Sequence, residues 1–141
     1  MRIEDEEALR HLYAQTKTIA VVGASGDPSK PAHSRPAYLQ SQGFKVVPVS
    51  PRGGELFGEK VYETLADVDI PVDVVDVFRP AEEAPDIARA AVAIGAKVLW
   101  LQSGIYSDEA EAIADEGGLI FVDGMCMAAM HGQLGLGPGP D

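Results

Sequence analysis

The sequence has one cysteine, Cys126, among its 141 residues, so no disulfide can form within the chain. Scarce cysteine is typical of a reducing compartment, and we expect a cytoplasmic protein. No apolar run approaches the roughly 20 residues that a transmembrane helix needs. The acidic, amphipathic N-terminal stretch MRIEDEEALRHLY does not resemble a signal peptide. We therefore expect no membrane partner.

Basic residues are also scarce: 11 lysines and arginines stand against 22 acids, which gives a net charge of −11. This balance argues against nucleic acid and anionic membranes as partners. An anionic ligand would need a local cluster of cations. Three histidines and one cysteine, far apart in the sequence, do not make a ligand set, so no metal site is predicted. The cations in or next to predicted loops are Lys30, Arg35, Arg52 and Arg79.

Five short apolar segments alternate with helical patterns along the chain. This alternation predicts an α/β fold: a single Rossmann-like, doubly wound domain with a five-stranded parallel sheet and helices on both faces. We expect the strand order 3-2-1-4-5, counting strands along the chain. Pro48 cannot donate to a ladder, so the second strand should end near it or pair on one side only. The predicted strands are 18–22, 45–49, 72–77, 97–101 and 119–122.

The predicted helices place the boundaries of the domain. They span 3–15, 35–42, a stretch from between 80 and 85 to about 94, 108–116 behind an N-cap at Ser107, and 125–131. We expect residues 1–16 to form a helix that packs on the domain and 17–134 to form the domain itself. The glycine- and proline-rich tail, 135–141, should be disordered.

The segment from Thr18 to Ser34 carries the clearest functional signal. A buried strand ends at Gly23, a glycine turn follows, and a helix begins after a polar loop. Backbone N–H groups and the positive end of a helix dipole then meet at one place, which is how nucleotide phosphates bind in open α/β sheets. The spacing is not G-x-G-x-x-G, so the motif predicts a phosphate site without specifying the cofactor.

The residues at the end of the second strand reduce the number of candidate ligands. NAD sites carry an acid there to hold the ribose hydroxyls, whereas this chain has Ser50-Pro51-Arg52. An arginine fork suits a phosphorylated ribose, as in NADP or in the 3′-phosphate of coenzyme A. The residues alone leave these two ligands open.

At this point the sequence resembles the CoA-binding domain proteins, small relatives of the N-terminal domain of the succinyl-CoA synthetase alpha subunit. The resemblance spans about 18–134. It departs from the family where V-S-P ends the second strand in place of V-N-P, and where Met125 and Met130 replace Arg and Glu. It is carried by IAVVGAS with the DPSKP loop (19–31), GFKVVPVSP (43–51), DVVDVFRP (73–80), GAKVLWLQSG (95–104) and the stretch 126–131.

The resemblance implies a coenzyme A site along the strand ends. Its glycine loop would hold the pyrophosphate, with Lys30 nearby, and Arg52 would lie by the 3′-phosphoadenosine. The loop after the third strand would line the adenine and phosphate side, and the fourth strand would contribute an edge. The implied ligand-binding residues are Gly23, Ala24, Ser25, Lys30, Ser34, Ser50, Pro51, Arg52, Val77, Phe78, Arg79, Trp100, Gln102 and Gly104.

We expect a protein that binds coenzyme A or an acyl-CoA in a carrier or regulatory role, because no catalytic constellation is visible. Asp73 and Asp76 point to opposite faces of a strand and cannot form a dyad. Cys126 is interpreted as a buried hydrophobe, and His131 as a surface or capping histidine. The alternatives are an NADP-binding reductase and an interaction subunit of a split acyl-CoA synthetase. The sequence leaves open a homo-oligomer or a partner protein chain.

Overall fold

The computed structural model describes residues 1–138. None of the described helices is long and apolar enough to cross a membrane. Short 3-10 turns at 65–67 and 81–83 precede β5 and α3. In chain order the main elements are α1 (Glu6–Gln15), β1 (Thr18–Val22), α2 (Pro31–Ser41), β2 (Lys45–Val49), β3 (Glu55–Leu56), β4 (Glu59–Lys60), β5 (Val74–Val77), α3 (Ala84–Ala93), β6 (Val98–Leu101), α4 (Asp108–Glu116), β7 (Ile120–Val122) and α5 (Met127–Gln133).

Five strands run parallel in one sheet, in the order β2-β1-β5-β6-β7, and β3 and β4 form a separate antiparallel hairpin. The predicted α/β fold class, a Rossmann-like domain around a five-stranded parallel sheet, is therefore confirmed. The predicted strand order is wrong. The third long strand along the chain, β5, lies between β1 and β6 rather than outside β2. The order thus reverses between β1 and β5.

The residues of β2 and β5 explain this order. Pro48 has no N–H to donate and Lys45 is exposed, so β2 is suited to the edge of the sheet. Apart from one isolated bridge, β2 pairs only with β1. β5 is buried along its whole length, and Asp73 just before it accepts the backbone N–H groups of residues 17 and 18 at 2.9 Å. These bonds hold the start of β5 beside β1.

Helices cover both faces of the sheet. α1, α2 and α5 pack on one face, where Leu9, Leu39 and Met127 are fully buried. On the other face, α3 and α4 present small side chains, which allow the two helices to lie close to the sheet and to each other. The fully buried alanines there are Ala84, Ala88, Ala91, Ala110 and Ala114.

Capping chemistry sets the helix ends. The carboxylate of Asp5 accepts the N–H of Ala8, so α1 starts at residue 6 instead of the predicted 3. α2 starts at Pro31, four residues before the predicted start, because proline fits the first turn of a helix. The predicted N-cap at Ser107 is confirmed, since its hydroxyl accepts the N–H of Ala110.

The C-terminal end of the domain follows α5. This helix lies two residues later than predicted, because Cys126 occupies its N-cap position. Residues 134 and 135 form a turn after the helix, and Leu136 packs against the core. The predicted disordered tail covers 135–141, and its last three residues lie outside the part of the chain that the structure describes.

Candidate functional site

A hollow of about 830 Å³ lies at the carboxyl ends of β1, β2 and β5. The strand order reverses between β1 and β5, and open α/β sheets bind ligands at such switch points. The loops after these three strands, the 3-10 turn at 65–67, the hairpin and one face of α3 form its wall. The volume falls within the range of small-molecule sites.

The turn after β1 requires glycine at its first position. Gly23 has a φ of +92°, and a Cβ there would lie 2.7 Å from Cδ of Arg79 and 3.0 Å from the carbonyl oxygen of Phe78. An L-residue would therefore be strained and would also collide with the loop after β5. Glycine lets the two loops approach each other at the floor of the hollow.

Backbone N–H groups in the loop after β1 and in the first turn of α2 are available to a ligand. The N–H of Gly23 donates to Val49 and that of Ser25 donates to Ala32, so neither is free. Within the part of the chain that the structure describes, the N–H groups of residues 24, 26 and 32 have no hydrogen-bond partner. All three residues line the hollow. A concave set of free N–H groups next to a helix N-terminus is suited to a phosphate.

Side chains hold this loop in shape. The carboxylate of Asp27 accepts the N–H and the hydroxyl of Ser29 at 2.9 and 2.8 Å, and these bonds lower its pKa. The ring of His33 bonds to the carbonyl oxygen of Ser25 at 2.8 Å through Nδ1. The same ring lies 5.0 Å from that of Phe57 in the β3–β4 turn. His33 therefore braces the loop against the hairpin.

Three cations and three carboxylates line the hollow. Within the described residues, Lys30 and Arg52 form no ion pair. Arg79 is engaged by Glu83, whose carboxylate accepts hydrogen bonds of 2.7, 3.1 and 3.2 Å from the guanidinium. This bond holds the pKa of Glu83 below its usual value. The carboxylates that line the hollow are Glu63, Glu83 and Asp86.

The structure brings most of the predicted site residues together. Nine of the fourteen line the hollow, and they come from the loops after β1, β2 and β5, which are distant in sequence. These nine are Gly23, Ala24, Ser25, Lys30, Ser50, Pro51, Arg52, Phe78 and Arg79.

Five predicted site residues, Ser34, Val77, Trp100, Gln102 and Gly104, do not line the hollow. Val77 belongs to the core on the α3–α4 face, and Gly104 lies in the exposed loop after β6. Trp100 is fully buried, and its Nε1–H donates to the carbonyl oxygen of Met125 at 2.8 Å. Gln102 is also buried and donates to Asp76. Trp100 and Gln102 are therefore enclosed by packing and do not reach the hollow.

Other lining residues were not predicted. One group of them follows from the corrected strand order: because β5 lies beside β1, the helix after β5 presents one face to the hollow. The spacing of Glu83, Ile87 and Ala90 is that of one helix face, and this signal could have been found once β5 was placed. Leu56 and Leu65 also line the hollow. They lie in the connection between β2 and β5, where no motif marks them.

Two titratable groups are buried away from the hollow. Burial raises the pKa of Asp76 to about 7, although the hydrogen bond donated by Gln102 acts in the opposite direction. The second carboxylate oxygen of Asp76 has no hydrogen-bond partner within residues 1–138. His131 is 1% exposed, and its Nδ1 lies 2.9 Å from the hydroxyl of Tyr38. Our expectation of a surface or capping histidine is wrong, because an aromatic cluster encloses this ring.

Cys126, which we interpreted as a buried hydrophobe, is only partly buried. Its side chain is half-buried against the core, and its Sγ accepts the N–H of Ala129 at 3.5 Å. Among the described residues, no group of three or more histidine, cysteine or acidic side chains is arranged to hold a metal ion.

Comparison with known proteins identifies the family. The model of the CoA binding domain matches residues 17–132. The chain is 30% identical to the protein YneT of Bacillus subtilis (strain 168) over 131 residues, which cover 93% of this chain and 97% of YneT. It is also 30% identical over 109 residues to the ADP-forming acetate–CoA ligase II of Archaeoglobus fulgidus. That match covers 76% of this chain but only 16% of the ligase.

A solved structure of similar sequence has the same fold. The structure of cell-free ID.343 from Thermus thermophilus superimposes with a TM-score of 0.89 at 44% sequence identity. The match covers 93% of this chain and 99% of that protein. The resemblance seen in the sequence motifs is therefore confirmed, and the chain belongs to the CoA-binding domain family.

Proposed function

We propose that this protein binds coenzyme A or an acyl-CoA in the hollow and has no catalytic activity of its own. The observation that carries the proposal is the meeting of two phosphate-binding features in one hollow. Among residues 1–138, the N–H groups of residues 24, 26 and 32 have no hydrogen-bond partner, and Arg52, at the end of β2, forms no ion pair. Coenzyme A carries a pyrophosphate and a separate 3′-phosphate, which match these two features.

The chemistry of each part of coenzyme A matches it to residues of the hollow. The pyrophosphate binds the loop after β1 and the N-terminus of α2, where Lys30 adds a positive charge. The 3′-phosphate binds the guanidinium fork of Arg52. The apolar side chains of Leu56, Leu65 and Ile87 offer a surface for the adenine ring.

The absence of catalysis is inferred from the side chains at the site. Among the described lining residues there is no cysteine or histidine that could act as a nucleophile or base. The related acetate–CoA ligase is several times longer than this chain. We infer a carrier or regulatory role, because the domain binds its ligand without reacting with it. A partner chain that supplies ligase chemistry is the second proposal, and it rests on the same relative.

Calorimetry with coenzyme A, NADP and NAD tests the ligand. We expect coenzyme A to release heat and raise the thermal midpoint, and NAD to do neither. Heat from NADP without heat from coenzyme A would overturn the proposal and favour the reductase alternative. Acyl-CoA synthesis that appears only after a partner chain is added would favour the second proposal.

Replacing Arg52 tests whether this residue binds the 3′-phosphate. We expect Arg52→Ala to weaken coenzyme A binding about tenfold or more, the loss expected for a charge-assisted hydrogen bond of about 1.5–3 kcal/mol. Its affinity for dephospho-CoA should not change. Arg35→Ala is the matched control, because Arg35 is exposed on α2 and does not line the hollow. Equal losses for both ligands would remove Arg52 from this role.

A further inference from the structure

Two helix N-termini face the hollow, and their charges differ. The first turn of α2 carries no acid and follows Lys30. The N-terminus of α3 carries Glu83 at its N-cap position and Asp86 in its first turn. Both acids line the hollow. A helix N-terminus attracts anions, and at α3 the protein's own carboxylates already fill this role.

Arg79 lies between the acidic residues of the hollow and the loop after β1 (residues 23–30), which we call the phosphate loop. Its Cδ lies over Gly23, as the 2.7 Å distance to a Cβ built at that glycine shows. Its guanidinium is turned to Glu83, which accepts hydrogen bonds from both Nε and one terminal nitrogen. The phosphate loop therefore has an arginine beside it whose charge is already satisfied.

The pair is open to exchange. The Arg79 and Glu83 side chains are 46% and 47% exposed, so water and a ligand can reach both of them. A half-exposed ion pair contributes little net free energy. A phosphate accepts the same bidentate hydrogen bonds from a guanidinium as a carboxylate does, so it can take the place of Glu83 on Arg79.

We propose that Glu83 is a built-in competitor of the ligand: it holds Arg79 in the unliganded protein, and the pyrophosphate binds by replacing Glu83 on this guanidinium. This inference rests on the proposed function and adds a residue that opposes binding at the same site. Glu83 sets the affinity by keeping one of three cations occupied until a sufficiently strong anion arrives. Weak anions then fail to bind although the phosphate loop is open to them.

Replacing Glu83 with glutamine tests this exchange. The Glu83→Gln variant should bind coenzyme A about fivefold more tightly, the change expected when a competing contact worth about 1 kcal/mol is removed. Dephospho-CoA should gain by the same factor, since Arg79 lies beside the loop assigned to the pyrophosphate that both ligands share. Glu82→Gln is the matched control for charge. Glu82 is exposed in the same turn, does not line the hollow, and should give a much smaller gain.

A double-mutant cycle separates exchange from simple repulsion. Arg79→Met keeps an aliphatic stem over Gly23 but removes the charge, and it should weaken both ligands and abolish the gain from Glu83→Gln. A full gain in the Arg79→Met background would show that Glu83 only repels phosphate, and would overturn the inference. Unchanged or weaker binding by Glu83→Gln would overturn it as well. Failure of the unaltered protein to bind coenzyme A would instead refute the proposed function.

Discussion

The two halves of the sheet's carboxyl edge are built in opposite ways. Over β2, β1 and β5 the edge is open: glycine turns, free N–H groups and half-exposed charges surround a hollow. Over β6 and β7 the edge is closed around Trp100, which is fully buried and donates a hydrogen bond to Met125 in the chain after β7, while the loop after β6 stays exposed. A shared sheet edge therefore does not make a shared site. The hollow forms where the strand order reverses and the neighbouring connections diverge.

Charged groups at the hollow and in the buried interior also differ. At the hollow, Arg79 and Glu83 stay ionised because water reaches both of them. In the interior, burial moves the pKa of Asp76 on β5 upward and that of His131 on α5 downward, toward the neutral form in each case. We therefore expect substitutions at the hollow to change ligand affinity, and those in the interior and the closed half to change stability and its dependence on pH.

The largest expected effect belongs to the closed half. Trp100→Ala should lower the free energy of unfolding by about 3–5 kcal/mol, the usual cost of removing a large buried aromatic. Denaturant unfolding measures this loss. The milder Trp100→Phe should leave coenzyme A affinity unchanged. A stable Trp100→Phe variant with much weaker binding would break the comparison and return Trp100 to the ligand site.

Asp76 should make stability fall as pH rises. Its pKa is about 7 in the folded protein and near 3.9 in the unfolded chain, so the folded state holds more protons between these values. The free energy of unfolding should drop by up to about 1.4 kcal/mol per pH unit across this window, and level off above pH 7. Unfolding at a series of pH values measures the slope. Asp76→Asn should remove this contribution, and an unchanged profile in that variant would contradict the prediction.

Gly23 is the matching test in the open half. Gly23→Ala should lower stability by more than about 1 kcal/mol, because its φ is positive and its Cβ would collide with the loop after β5. It should also weaken coenzyme A binding, which calorimetry on the folded variant measures. Gly95→Ala is the control: Gly95 has a φ of +76°, and a Cβ there meets nothing within 4 Å. Equal binding by the two variants would show that the close approach at Gly23 does not shape the site.

His131 should make the smallest contribution to the pH dependence of stability, and its contribution should have the opposite sign to that of Asp76. Burial lowers its pKa in the folded protein, and the hydrogen bond with the backbone of Gly137 only partly offsets this. Stability from this group is complete above the unfolded pKa of about 6.5 and declines as pH falls below it. Comparing the acid limb of the stability profile with that of His131→Gln measures this contribution. A limb that is just as steep in the variant would assign the decline to other groups.

The sequence predicted the helices and strands well, but it predicted the order of the strands in the sheet less well. Strand limits follow from apolar runs, and the glycine loop and Arg52 follow from local motifs, so the open half was largely foreseen. Strand order depends on contacts between distant segments. Pro48 indicated part of this order, because a strand with a residue that cannot donate a backbone hydrogen bond is suited to the edge of a sheet. Placing β5 correctly would also have brought Glu83 into the site.

The β3–β4 hairpin shows where local signals stop. Phe57 has a φ of +57°, a conformation that bulky residues rarely adopt, so propensity alone would not place a tight turn there. Tertiary contacts hold this turn: Gln40 donates to the carbonyl oxygen of Phe57 at 2.7 Å, and the Phe57 ring packs on His33. The wall that the adjacent Leu56 adds to the hollow depends on these contacts.

Amide chemical shifts during titration with coenzyme A test the central claim most directly, because each half of the edge has its own backbone N–H groups. The account predicts that the largest shifts occur at residues 24, 26 and 32 and at Arg52, while the amides of the buried strand β6 change little. Largest shifts at β6 and in the loop after β7, with residues 24–32 unmoved, would contradict it.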